Sequence, residues 1–126
     1  MPRTTVYIYA EVDGQSPVLD WLRALRRDNL RAFVACRARV VLLASLGHEL
    51  RRPHADLLRD GIYELRARVG RVNYRLLYFY HGKDIAVVAH GLTKEAGVPA
   101  VDIERALERR RRYEKDPTKH RATVEV

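Results

Sequence analysis

Apolar and polar positions alternate along this chain in two periods, one suited to strands and one to helices. Thr4 to Glu11 is rich in Val, Tyr and Ile and reads as a first strand, closed by Asp13-Gly14. Ser16-Pro17 then supplies an N-cap followed by proline at the first helical position, where a missing N–H costs nothing. Val18, Leu22 and Leu25 mark one helical face, widened by Leu19 and Trp21. Asp28 or Asn29 can cap a second helix whose stripe runs through Leu30, Phe33, Val34, Val40, Val41 and Ala44, widened by Leu43 and Leu46. Gly47 is suited to end it in the left-handed conformation. Two helices joined this tightly predict an antiparallel hairpin.

His48 to Asp60 reads as a polar loop. Three strands follow, near residues 61–69, 72–81 and 84–92, as a meander turning at Gly70-Arg71 and His81-Gly82-Lys83. A last helix runs from about Ala100 to Glu114, with Asp102 and Glu104 early and Arg109 to Arg112 late, both favourable for its dipole. These elements predict a small α+β fold: an N-terminal strand, a helical hairpin, a three-stranded antiparallel meander and a C-terminal helix. Residues 1–115 read as a single domain and 116–126 as a loose tail. The helices are expected to cover one sheet face and to leave the other open to a partner.

Charge changes this picture of an ordinary fold. The net charge is +8, and residues 51–94 carry nine Lys and Arg against four Asp and Glu. The excess thus concentrates on the meander and the loop leading into it, which points to an anionic partner such as RNA. Arginine greatly outnumbers lysine, and guanidinium suits bidentate phosphate contacts, although a GC-rich genome gives the same bias. A single cysteine, Cys36, rules out an intramolecular disulfide, fits a reducing cytoplasm and reads as a small buried hydrophobe. No apolar run approaches the roughly 20 residues of a membrane span, and MPRTTVYIYAEVDG reads as a strand rather than a signal peptide.

Several ordered motifs, "SPVLDWL", "RPHADLLRDGIYELR", "NYRLLYFYHGKDIAVVAHGLTKEAGVP" and "DIERALERRRRY", resemble the phage-derived HigB-like branch of the RelE/ParE toxin superfamily over roughly residues 6–113. The resemblance implies a RelE-like domain acting as the toxin of a type II toxin–antitoxin system. Such a toxin is a ribosome-dependent mRNA endoribonuclease, held inactive by a cognate helix-turn-helix antitoxin that alone contacts operator DNA. It also implies that the superfamily's strand arginine falls on Arg75, and that basic positions of the preceding strand fall near Glu64, Arg66 and Arg68. A basic pair after the last strand falls on Lys94 and Glu95. Glu64 and Glu95 depart from that pattern.

Cleavage by this route needs a deprotonated 2′-OH, a neutralised phosphate and a protonated 5′-oxygen. The five scattered histidines offer no metal-ligand spacing, so a metal-free mechanism with no cofactor is expected. Strand periodicity puts Glu64, Arg66 and Arg68 on one face, and Arg75 with Leu77 and Phe79 on one face of the next strand. An arginine amid that much apolar surface either lines a cleft or pairs with an acid, Glu64 or one on a helix.

The expected catalytic set is therefore Arg75, Arg66 and Lys94. The expected RNA contacts are Arg68, Arg71, His54, Arg51 and Arg52. His90 reads as a satisfied core histidine or an acid–base group. Tyr74, Tyr78, Phe79 and Tyr80 read as core packing or base-stacking surface, and Arg109 to Arg112 as a solvated helix end or an RNA or antitoxin contact. Two other classes stay open: a protein-target inhibitor like the gyrase-poisoning ParE relatives, and a basic binding module without toxicity.

Overall fold

The computed structural model describes residues 3–93 and 97–123. The described chain runs β1 (Thr5–Tyr9), α1 (Pro17–Asp28), α2 (Leu30–Leu46), β2 (Ala55–Arg59), β3 (Ile62–Val69), β4 (Val72–His81), β5 (Ile85–Thr93), α3 (Ala100–Lys115) and β6 (Arg121–Thr123). Short 3₁₀ turns cover Gly47–Glu49 and Pro117–Lys119. The strands form one mixed six-stranded sheet in the order β2-β3-β4-β5-β1-β6. β1 lies parallel to β5, and every other pairing is antiparallel.

Local chemistry explains the helix starts. Ser16 accepts from the Leu19 amide while its own hydroxyl donates to the Tyr9 carbonyl at 2.7 Å, and Pro17 opens α1. Asn29 caps α2 through its side-chain oxygen, which accepts from the Ala32 amide. Trp21 of α1 lies against the backbone of β5: a Cβ on Gly91 would come within 2.5 Å of its indole ring, so only glycine lets α1 approach so closely.

Two expectations need correction. The segment 48–60, read as a polar loop, contains β2, which extends the meander to four strands. β2 joins β3 through Asp60 and Gly61, both at positive φ, the backbone of a two-residue hairpin that Asp-Gly suits. Nor is one sheet face open. α1 and α2 cover one face over Ile8, Leu65, Leu76, Tyr78 and Val88, while α3 covers part of the other through Ile62, Leu77, Phe79, Val87 and Tyr113. Strand parity divides β4 between the two cores, which is why its run is apolar throughout. Within residues 116–126, the short strand β6 pairs with β1 through Tyr7, Ile8 and Tyr9.

Candidate nucleic-acid interface

β3 and β4 pair so that Arg66 stands opposite Arg75, Glu64 opposite Leu77 and Arg68 opposite Asn73. Asp56 of β2 stands opposite Glu64. Side-chain alternation therefore brings two acids and three arginines onto the sheet face that α3 only partly covers. Two like charges directly opposite each other repel, and a carboxylate between them answers that.

Glu64 supplies it. Glu64 is 1% exposed, and one carboxylate oxygen accepts from Arg75 Nη1 at 2.8 Å and from Arg66 Nε at 2.5 Å. Arg66 also reaches Asp56 at 3.2 Å, and Asp56 in turn holds Arg52 at 2.8 Å. Arg75 is 9% exposed, and its Nε–H finds no acceptor among the described residues. The pairing of Arg75 with Glu64, one of the two alternatives read from the strand pattern, is thus present.

Beyond the start of β2 at Ala55, the outer part of β3 is left beside α2. There Arg39 of α2 donates to the Arg66 carbonyl at 2.8 Å, and the Arg66 amide donates to the His54 carbonyl. The result is a cleft of about 310 Å³ lined by Arg39, Pro53, His54, Arg66, Arg68 and Asn73, with no carboxylate on its wall. Arg66, Arg68 and His54, all expected site residues, are therefore brought together. Arg39 and Asn73 join them without having been anticipated; Arg39 is one of three arginines on α2, and nothing local in the sequence marks it out.

The other expected residues lie elsewhere. Arg51 and Arg52 line a separate cleft of about 540 Å³ with His48, Leu50, Leu57 and Tyr63. Arg71 sits exposed in the β3–β4 turn. Lys94, with Glu95, falls outside the described residues. Tyr74, Tyr78 and Phe79 are buried, so they pack the core rather than present faces for bases.

The arginine run on α3 is bound, not merely solvated. Arg109 donates to the Ala89 carbonyl at 2.7 Å, Arg110 to the Asp60 carbonyl at 2.7 Å, and Arg112 pairs with Glu11 and Glu108. Cys36 is fully buried, and burial pushes its thiol up to about 12, which makes it inert as a nucleophile.

His90 is a core histidine. Its Nε2 meets Asp102 at 2.6 Å and its Nδ1 meets Arg109 Nη1 at 3.3 Å. A guanidinium can only donate, so Nδ1 carries the lone pair and Nε2–H donates to Asp102. Burial lowers its pKa; Asp102 pulls the other way, and Arg109 and Arg105 add to the lowering. The unfolded chain takes up a proton below the ordinary value of 6.5 that the folded chain refuses. The His90 contribution to stability is therefore complete above that pH and declines as the pH falls below it. Thermal midpoints of wild type and His90→Gln, compared between pH 7.5 and 5, should show the steeper acid loss in wild type. Parallel slopes would rule the assignment out.

The sequence signature of Phage derived protein Gp49-like (DUF891) matches residues 20–111, which span α1 through most of α3 and include every cleft residue. The chain belongs to the phage-derived Gp49-like family. That family sits within the RelE/Gp49 toxin superfamily and is associated with toxin–antitoxin systems, so a toxin role and a cognate antitoxin are what membership suggests. RelE-type toxins, to which Gp49-like proteins are related, are endoribonucleases. No curated protein matches the chain. Among the described residues, no helix of this Gp49-like chain is long and apolar enough to cross a membrane.

Proposed function

We propose that this Gp49-like chain is a HigB-like type II toxin, a ribosome-dependent mRNA endoribonuclease of the cytoplasm that arrests translation. A helix-turn-helix antitoxin neutralises it and provides the only link to operator DNA. The observation that carries the reading is the 310 Å³ cleft whose wall holds Arg39, Arg66, Arg68 and His54 and no carboxylate. Three guanidinium groups around one concavity suit a phosphodiester, whose charge grows in the transition state.

In this reading Arg66 and Arg68 clamp the phosphate, and His54 stands on the cleft wall to exchange a proton with the ribose or the leaving oxygen. Arg75 does not line the cleft. It is a positioning residue, holding Glu64 so that Glu64 holds Arg66. Lys94, next to the end of β5, is proposed as a further phosphate contact, and Arg71, Arg51 and Arg52 as outer contacts to the RNA strand.

Induced expression of wild type, Arg66→Ala and Arg75→Ala, with genome-wide mapping of mRNA 5′ ends, tests this. Wild type should arrest growth and produce new ends at fixed codon positions. Both variants should lose the new ends while remaining folded by circular dichroism. Arrest without new ends would instead indicate a poison of a protein target. Harmless wild-type expression would indicate a basic binding module.

A further inference from the structure

The cleft of about 540 Å³ that holds Arg51 and Arg52 has the volume of a small-molecule site. Its wall combines three kinds of group. His48 and Tyr63 supply rings, Leu50 and Leu57 aliphatic surface, and the two arginines charge.

The rings are held in place by their neighbours. His48 stacks on Tyr80 with centroids 3.7 Å apart and planes 22° apart, and its Nε2 meets the Lys83 carbonyl at 3.2 Å. Tyr80 in turn meets Tyr63 edge to face, and Tyr63 stacks on Tyr78. A ring has two faces. Tyr80 covers one face of His48, yet the residue is exposed, so the other face is open at the wall of the cleft. Leu57 is 53% exposed and adds uncovered aliphatic surface to the same wall.

The two arginines differ. Arg52 is committed to Asp56 at 2.8 Å. Arg51 is exposed and pairs with no carboxylate among the described residues, so its guanidinium is available to an anion. An open ring face beside an uncommitted guanidinium is matched by a ligand that carries a flat π-system and a phosphate.

We propose that this cleft is a nucleotide-binding subsite, with the base stacked on His48 and the phosphate on Arg51. A free nucleotide and one nucleotide of an RNA strand share that chemistry. The strand is favoured, because Arg52 and Arg66 bond the same Asp56 oxygen, which sets this cleft next to the cationic one. A strand with a phosphate at Arg66 lays a neighbouring base on His48, so the protein selects RNA whose base there is unstacked. That continuation rests on the nuclease reading; the subsite itself does not.

Three probes are titrated into the full chain and followed by amide shift mapping. They are adenosine 5′-monophosphate, inorganic phosphate, and a 2′-deoxy oligoadenylate of about four nucleotides, which lacks the hydroxyl that cleavage needs. The monophosphate should bind saturably and shift amides between His48 and Leu57 and at Tyr63. Inorganic phosphate should bind at least roughly fivefold more weakly. His48→Ala and Arg51→Ala should each weaken the monophosphate by a similar factor. His48→Phe keeps a stacking ring and should bind close to wild type.

Both positions are exposed, and unchanged thermal midpoints would confirm that the variants fold. Equal affinity for the monophosphate and inorganic phosphate, or full binding in His48→Ala, overturns the proposal. So does silence at residues 48–57 with every probe. An oligonucleotide that shifts Arg66 and Arg68 but not residues 48–57 also overturns it, while leaving the nuclease reading intact. Monophosphate binding, with an oligonucleotide no tighter and silent at Arg66 and Arg68, supports a free-nucleotide subsite and counts against the strand alone. An oligonucleotide that binds more tightly and shifts both sets supports the subsite and the strand together.

Discussion

Glu64→Ala should destabilise the fold by about 3–5 kcal/mol, a large share of the roughly 5–15 kcal/mol available to a domain of this size. Glu64 is 1% exposed, and its carboxylate neutralises Arg75, which is itself nearly out of water. Removing it strands a buried guanidinium whose Nε already lacks a partner among the described residues. Arg66 suffers less, because Asp56 still holds it at the surface. Replacing both members, Glu64→Leu with Arg75→Leu, should recover most of the loss, since two apolar groups of similar size leave no uncompensated charge. Urea unfolding midpoints at constant slope would measure both. A single-variant cost below about 1 kcal/mol, or a double variant worse than the single, would show that the pair does not act as an internal ion pair.

That outcome bears on what an acid at position 64 does for the cationic face. A third cation at that position would stand two residues along β3 from Arg66 and diagonal to Arg75, and their repulsion would go unanswered. The acid instead binds Arg75 inside and fixes Arg66 at the mouth of the cleft. The cationic surface therefore lies at Arg66, Arg68 and Arg39, with Arg75 held by Glu64 outside that cleft.

Helix starts were legible because each rests on a few adjacent residues, as at Ser16-Pro17 and Asn29. The strand parity of 62–69 and 72–81 was equally local, and with it the choice between a cleft and a Glu64 pair for Arg75. β2 escaped because Ala55–Arg59 contains only two adjacent large apolar residues; the Asp60-Gly61 turn was the overlooked signal. β6 has three residues and exists only because β1 offers an edge.

The site fared similarly. Arg51 and Arg52 are neighbours of His54 in sequence, yet they line a different cleft, and Arg52 connects to Arg66 through Asp56. Arg39 reaches the site through tertiary packing, across 27 residues, and no local pattern encodes that.

Phe79→Ala should cost about 3–5 kcal/mol, and Phe79→Leu less than about 1.5 kcal/mol. The ring is fully buried and meets Tyr113 of α3 edge to face, with centroids 5.6 Å apart. α3 looks charged along its whole length, which hid the spacing of Ile103, Ala106 and Tyr113 that packs it on the sheet. Phe79 and His81 of β4 both meet the Tyr113 ring edge to face, and Phe79 is the fully buried one, so its loss should loosen α3 before the helical hairpin. Hydrogen exchange would then rise in α3 and β6 ahead of α1 and α2.

Equal rises everywhere would mean that both cores melt as one unit, and a cost below about 1 kcal/mol would mean that α3 is held by its arginines alone. The distinction matters for the cleft. A docked α3 keeps the second sheet face closed over Leu77 and Phe79, so the polar stretch from Glu64 to Arg68 is where an anion can approach that face. If α3 loosens with Phe79→Ala while Arg66 keeps its contacts, the cleft depends on β3 and α2 rather than on the second core.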